Sequence, residues 1–255
     1  MEDSLTPHIL IGSIFYIFGL KWCCEYAKFW QTPRRSDEMA SPNTRKFVYK
    51  CEKLFTNHPI EGSLKLIATA VGLIGTMVGG LPNEVIVSPK VVHATIYLFF
   101  AFSGLIDVLT FYFPRNITKG LANLALAQSF FVEGFLFVWA SPGSTIANGI
   151  LAGIVWTTAF TIGAELIWPD LKLLRAATTL LHGGWIAHMV RVYSISKPDV
   201  LIHERIALAF SWHIAAAFAV TLMVVATIRS CVPKINTDEP PELPIYDYCN
   251  EPHDI

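Results

Sequence analysis

Residues 91–113 read VVHATIYLFFAFSGLIDVLTFYF and are mostly apolar. Its one formally charged side chain is Asp107. A helix needs about 20 mostly apolar residues to cross the hydrocarbon layer of a membrane. The stretch is long enough for one crossing and therefore predicts a transmembrane helix.

Similar stretches recur along the chain and are separated by proline-containing connections. We count seven candidate spans, roughly at 7–27, 62–81, 91–113, 121–139, 146–168, 171–192 and 205–228. All 15 prolines lie in connections, tails or span termini, where a helix tolerates them best. No ten-residue segment alternates in the manner of an outer-membrane strand. The sequence therefore predicts an all-α protein, with a seven-helix transmembrane bundle at 1–230.

The composition of the whole chain agrees with a membrane protein. Of its 255 residues, 53% are apolar and 15% are charged, against about 45–50% and about 25% in soluble domains. The formal net charge is −1. Nucleic-acid binding would require a clustered basic excess, and intrinsic disorder would require a less apolar chain. We therefore expect a lipid bilayer around the protein and no nucleic-acid partner.

The lysines and arginines are distributed unequally between the two sides of the predicted bundle. Thirteen lie in the connections and tail of one side and four on the other. Basic residues concentrate on the cytosolic side of membrane proteins. All five cysteines fall on this same basic side, as expected for a reducing compartment. The N-terminus is therefore predicted to be outside or lumenal, and the C-terminus cytosolic.

Two segments fall outside the predicted spans. The polar connection at 31–60 is expected to be a cytosolic loop, and residues 231–255 an acidic, Pro-rich, disordered cytosolic tail. The tail is a candidate docking segment for a cytosolic protein partner. Within the second span, Gly75 and Gly79 have the GxxxG spacing that is typical of close helix packing. We therefore also consider a helix-mediated oligomer.

Several ionisable residues lie inside the predicted spans, where they are costly and mark candidate functional sites. Their positions along each span place them in two layers. An outer layer, in the outer half of the membrane, contains His93, Glu133, His182, His188 and His213. An inner layer, near the cytosolic edge, contains Lys65, Asp107 and Glu165.

The outer layer is a candidate site for a metal ion, haem or protons. Neutral imidazole nitrogens suit zinc, copper and iron, and histidine exchanges protons near neutral pH. His182 and His188 are six residues apart, about 240° around a helix, so at most one of them faces a given point. The alternative is that the outer histidines and Glu133 only hydrogen-bond across helices and fix the packing.

We expect the opposite charges of the inner layer to neutralise one another. Lys65 paired with Asp107 or Glu165 would remove the cost of a buried charge, and we favour this interpretation over a transport gate.

Several strings within the spans carry a family resemblance. They are Gly62-Ser63-Leu64-Lys65-Leu66, residues 93–100 (HATIYLFF) with 104–107 (GLID), residues 130–137 (FFVEGFLF), Phe210-Ser211-Trp212-His213 and, more loosely, His182-Gly183-Gly184-Trp185. With these strings, the chain resembles the transmembrane protein 45 family, also called the domain of unknown function 716 family. The resemblance implies seven spans and a protein of the cell surface or endomembranes, and it implies no established activity.

The sequence leaves several functions open. The first is a non-enzymatic multi-pass protein whose outer His/Glu site serves transport or sensing, in the plasma membrane or in the Golgi, endosomes or lysosomes. The second is an intramembrane enzyme, either a redox protein or a metal-dependent lipid hydrolase, although no GxSxG or HExxH motif is present and no catalytic residue is predicted. The third is a trafficking or scaffold protein that acts through its cytosolic loop and tail.

Overall fold

A computed structural model describes residues 5–29, 58–78, 88–140, 146–194 and 202–230. Within these ranges the protein is all-helical, which confirms the predicted fold class. The helices are α1 (Leu5–Phe29), α2 (Ile60–Met77), α3 (Pro89–Tyr112), α4 (Lys119–Trp139), α5 (Ile146–Ala164), α6 (Lys172–Ser194) and α7 (Ile202–Ser230), with a short 3₁₀ turn at Pro169–Leu171. The predicted tail at 231–255 and the predicted loop, up to residue 57, lie outside the described residues.

Helices α1 to α5 and α7 are long and apolar enough to cross a membrane. The chain is therefore a multi-pass integral membrane protein. Helix α6 does not meet this standard within the described residues, because polar residues such as Thr178, Thr179 and His182 interrupt it. These three side chains are buried, and α6 packs against α1, α5 and α7. Its neighbours therefore shield the polar groups of α6 from the surroundings of the bundle.

Local sequence explains where several helices begin and end. Helix α3 begins after Ser88, whose hydroxyl accepts a hydrogen bond from the Val91 amide, and Pro89 occupies the first turn. Helix α5 ends at Ala164, earlier than the predicted span limit of 168. The chain turns there, with the Trp168 amide donating to the Ala164 carbonyl, and then enters the 3₁₀ turn at Pro169.

Each helix from α2 to α6 packs against the helix that follows it in the chain. Helix α1 instead packs mainly along α6 and also contacts α7. Glycines permit the close approach of α1 and α6. A Cβ atom at Gly12 would lie 2.6 Å from the Gly183 carbonyl oxygen, and one at Gly183 would lie 2.5 Å from that of Gly12. In contrast, a Cβ atom at Gly75 would meet no atom of the described residues within 4 Å. Gly79, the other glycine of the predicted GxxxG spacing, lies outside the described residues.

The alternating direction of the helices gives the bundle two ends. We call the end where α1 begins and α2 finishes the His8 end, and the opposite one the Lys21 end. Glu133 and His213 lie in the half nearer the His8 end, whereas Asp107 and Glu165 lie near the Lys21 end and His182 lies at the middle of α6. The orientation of the ends relative to the cytosol stays a prediction.

Candidate functional site

Glu133 on α4 and His182 on α6 form a buried pair in the centre of the bundle. The Glu133 Oε1 and His182 Nε2 atoms are 3.2 Å apart, and the two residues are 2% and 0% exposed. Among the described residues, the other Glu133 oxygen, Oε2, and the other ring nitrogen, Nδ1, have no hydrogen-bond partner. Each residue of the pair therefore has one buried polar atom that makes no hydrogen bond with the described residues.

Residues on either side of Glu133 fix its helix in place. One turn earlier, the Ser129 hydroxyl lies 2.9 Å from the Phe99 carbonyl oxygen on α3 and 2.8 Å from the Ala125 carbonyl oxygen of its own helix. On the following residue, a Cβ atom at Gly134 would lie 2.6 Å from the Trp156 Nε1 atom of α5. Helix α4 is therefore held closely between α3 and α5, and Glu133 is directed towards His182.

Aromatic rings surround the imidazole of His182. The Phe15 ring centroid is 4.2 Å from that of His182, and the Phe130 ring centroid is 5.7 Å away. These rings offer no ligand for a metal ion. Within the described ranges, no three His, Cys, Asp or Glu side chains are grouped so that they could hold one.

His188 and His213 form a second cluster, between α6 and α7. Their ring centroids are 5.0 Å apart, and Trp185 contacts both rings. A Cβ atom at Gly184 would lie 3.2 Å from the His213 Nδ1 atom, so a glycine leaves room for this imidazole. The structure brings His188 and His213 together and keeps this pair apart from His182.

His93 belongs to a third group, in which it lies beside His8 at the His8 end. The two ring centroids are 6.1 Å apart. The predicted outer layer is thus divided into three groups: Glu133 with His182, His188 with His213, and His93 with His8. Sequence positions gave the depth of these residues, but they contained no signal for this grouping around the bundle.

Charged residues at the Lys21 end pair across neighbouring helices. Lys65 Nζ lies 2.6 Å from Asp107 Oδ2 and 3.1 Å from Glu61 Oε1, and Lys21 also contacts Glu61. Of the two partners predicted for Lys65, the structure therefore selects Asp107. Sequence reasoning missed Glu61, although its place four residues before Lys65 is the spacing of a helical ion pair.

Glu165, the other partner predicted for Lys65, pairs instead with Arg175. The Glu165 Oε2 and Arg175 Nη1 atoms are 2.8 Å apart. The Arg175 guanidinium also lies 4.3 Å from the centre of the Trp22 ring, within the range of a cation–π contact. Sequence reasoning missed this pair. The available signal was that both residues border the short turn between α5 and α6.

A cavity of about 780 Å³ lies mainly between α1, α2, α3 and α4. Its wall contains Glu133, Tyr97 and several phenylalanines, and it reaches His8, His93 and Lys90 at the His8 end. The volume lies within the roughly 300–1,000 Å³ of small-molecule sites. This space could not be predicted from the sequence, because it depends on how α1 and α2 are arranged in three dimensions.

No family model matches the chain. The fold by itself defines the class as an all-α, multi-pass integral membrane protein.

Proposed function

We propose that this protein is a proton-binding membrane protein, in which the Glu133–His182 pair holds one exchangeable proton for sensing or transport. The observation that carries the proposal is the fully buried 3.2 Å contact between a carboxyl group and an imidazole. Ionisable residues at membrane depth are candidate functional residues, and proton relays are one of the functions that they serve.

The low polarity around the pair limits its stable protonation states. A net charge without a partner is costly in an apolar interior. Two arrangements avoid it: a carboxylate beside an imidazolium, or a carboxylic acid beside a neutral imidazole. Both contain the same number of protons, and they differ only in which residue carries the shared one. Adding or removing a proton would leave a net charge between α4 and α6, which favours a change in their packing.

The cavity gives this proton a route to one surface. Glu133 forms part of the cavity wall, and the same cavity reaches His8 and His93 at the His8 end. With the predicted orientation, that end faces the outside or a lumen. We propose the plasma membrane or an endomembrane as the location, since a pH difference across either membrane could act on the pair.

Proton uptake measured on the purified full chain tests the proposal. We expect the protein in detergent to take up more protons than its Glu133→Gln variant, by up to one per chain, between about pH 8 and pH 5, where histidine changes its charge. Glu204→Gln, which removes an exposed carboxyl group at the start of α7, is the matched control for an acid without this role. Equal uptake by wild type and Glu133→Gln would contradict the proposal.

A second candidate function is metal binding at His188 and His213. The 5.0 Å separation of their ring centroids favours it, because two imidazoles so close can approach a single ion. Elemental analysis and a visible spectrum of the purified protein test this idea. The matched control is His203→Ala, because His203 is an exposed histidine of the same helix. Loss of the bound metal ion or of the haem band in His213→Ala, but not in His203→Ala, would support the idea. Metal-free, colourless protein would contradict it.

The other interpretations stay predictions. Membership of the transmembrane protein 45 family rests on the quoted strings. A scaffold function would depend on the predicted tail, and deletion of 231–255 would then abolish activity in cells while leaving proton uptake intact. An intramembrane enzyme would need a substrate that no motif in the chain indicates.

A further inference from the structure

The cavity between α1, α2, α3 and α4 is wide for its length. Its wall extends from His8 to Trp22 on α1 and from Lys65 to Thr76 on α2, which corresponds to about 21 Å and about 17 Å along a helix axis. A volume of about 780 Å³ over this length gives a mean cross-section of about 40–50 Å². Packed carbon atoms lie about 4 Å apart, so a single alkyl chain has a cross-section of only about 16–20 Å². The cavity is therefore wide enough for a lipid with fused rings.

The middle of the cavity is aromatic. Phe15, Phe100 and Phe130 pack together there, with ring centroids 5.1–5.7 Å apart, and all three belong to the wall. The faces of phenylalanine rings pack against apolar groups and need no hydrogen-bond partner. This part of the cavity therefore suits an apolar ring system.

Most polar residues of the wall already interact within the protein. Lys65 lies between Asp107 and Glu61, and Glu133 pairs with His182. The other polar wall residues with such interactions are Thr69, Thr76, Trp22, His8 and Lys90. We therefore assign no ligand contact to any of these side chains.

Two polar wall residues on α3 differ from these. Neither the imidazole of His93 nor the hydroxyl group of Tyr97 makes a hydrogen bond with any described residue. The Tyr97 ring lies against α2, where a Cβ atom at Gly72 would lie 2.6 Å from its Cε1 and Cζ atoms. Residues four apart share one face of a helix, and a neutral imidazole and a phenol can each donate and accept a hydrogen bond. The two side chains therefore suit one neutral hydroxyl group, which can donate to one of them and accept from the other.

We propose that the cavity binds a sterol, with its hydroxyl group at His93 and Tyr97 and its fused rings beside the three phenylalanines. His93 lies in the second turn of α3, counted from the His8 end, so the hydroxyl group is nearer the membrane surface than the rings, as it is for a sterol in a bilayer. A diacylglycerol has a similar width but would also need partners for two ester groups. The inference uses the same cavity as the proposed proton site but requires no proton exchange. Sterol binding and proton uptake are measured separately, so the failure of one proposal is distinguishable from the failure of the other.

Equilibrium binding of radiolabelled cholesterol to the purified full chain tests the proposal. Tyr97→Phe removes the hydroxyl group and keeps the ring against α2. The matched control is Tyr112→Phe, because Tyr112 is a tyrosine of the same helix that is 61% exposed. We expect saturable binding by wild type, about two- to tenfold weaker binding by Tyr97→Phe, as for the loss of one hydrogen bond, and unchanged binding by Tyr112→Phe. Cholestene, which has the same rings without the hydroxyl group, should bind equally to wild type and Tyr97→Phe.

A photoreactive sterol locates the site without any substitution. After irradiation and digestion, we expect labelled peptides from the cavity-lining parts of α1, α3 or α4, and we expect an excess of cholesterol to suppress the labelling. Labelling confined to α5 and α7 would overturn the site. Absence of saturable cholesterol binding, or equal binding of cholesterol by wild type and Tyr97→Phe, would overturn the proposal. Oleate or diacylglycerol that competes better than unlabelled cholesterol would overturn the sterol assignment in favour of an acidic or a two-chain lipid.

Discussion

The two ends of the bundle contain buried polar groups in opposite arrangements. At the Lys21 end, acids lie beside bases of fixed charge, as in the 2.8 Å contact of Glu165 with Arg175. In the half towards the His8 end, Glu133 lies beside an imidazole, whose charge depends on a proton. Ion pairs of fixed charge hold helices together over a wide pH range. A carboxyl–imidazole pair next to a cavity can change its protonation state. We therefore expect a functional role for this pair and a stabilising role for the ion pairs at the Lys21 end.

The greatest loss of stability is expected when the ion pair of Glu165 is removed. Glu165→Gln would leave the partly buried Arg175 guanidinium without its carboxylate. Removal of one partner from a buried ion pair costs roughly 3–5 kcal/mol. We expect this loss in the free energy of unfolding, measured by SDS titration in mixed micelles, with Glu204→Gln changing it by less than about 0.5 kcal/mol. A loss below about 1 kcal/mol for Glu165→Gln would contradict a stabilising role.

An intermediate effect is expected at Asp107, because Lys65 has a second partner. In Asp107→Asn, Lys65 keeps Glu61, whose Oε1 atom lies 3.1 Å from Nζ. The loss of one hydrogen bond to a charged group costs about 1.5–3 kcal/mol. When Glu61→Gln is added to Asp107→Asn, the same titration should show a further decrease in the free energy of unfolding. If Asp107→Asn alone destabilised the protein as much as Glu165→Gln, the contact of Glu61 with Lys65 would not compensate for the loss of the Asp107 carboxylate.

The smallest expected effect on stability is at the proposed functional pair. Glutamine has nearly the shape of glutamate and can still hydrogen-bond to the His182 ring, so Glu133→Gln should cost about 0.5–1.5 kcal/mol. The variant should fold and yet lack the extra proton uptake. A destabilisation as large as that of Glu165→Gln would indicate that the pair is a fixed ion pair, like those of the Lys21 end, and would remove the contrast between the two regions.

Depth in the membrane could be predicted from the sequence, whereas lateral grouping could not. Helix rise converts residue number into height, and the observed helices place Glu133 and His213 nearer one end and Asp107 and Glu165 nearer the other. Which helices are neighbours depends on packing between distant segments, as with α1 beside α6. The sequence therefore left Lys65 with two candidate partners, and it did not join His188 to His213.

Glycine illustrates the same difference between local and tertiary information. The GxxxG spacing at Gly75 predicted close packing, but a Cβ atom at that position would meet no atom of the described residues within 4 Å. Gly12 and Gly183, which have no such motif together, allow α1 and α6 to approach most closely. A glycine permits contact, but the partner helix decides whether contact occurs. The cavity follows from this choice, since α1 packs on α6 and leaves space beside α2.

The contact between Gly12 and Gly183 also constrains how the chain is made. The two residues are far apart in sequence, and ribosomes add about 5–20 residues per second. Helix α1 therefore waits on the order of 10–30 s in the membrane before the α6 segment exists. During that time its glycine face has no partner within the chain. Chaperones of membrane insertion that shield such faces are expected to act on this protein early, while the first helix is still alone.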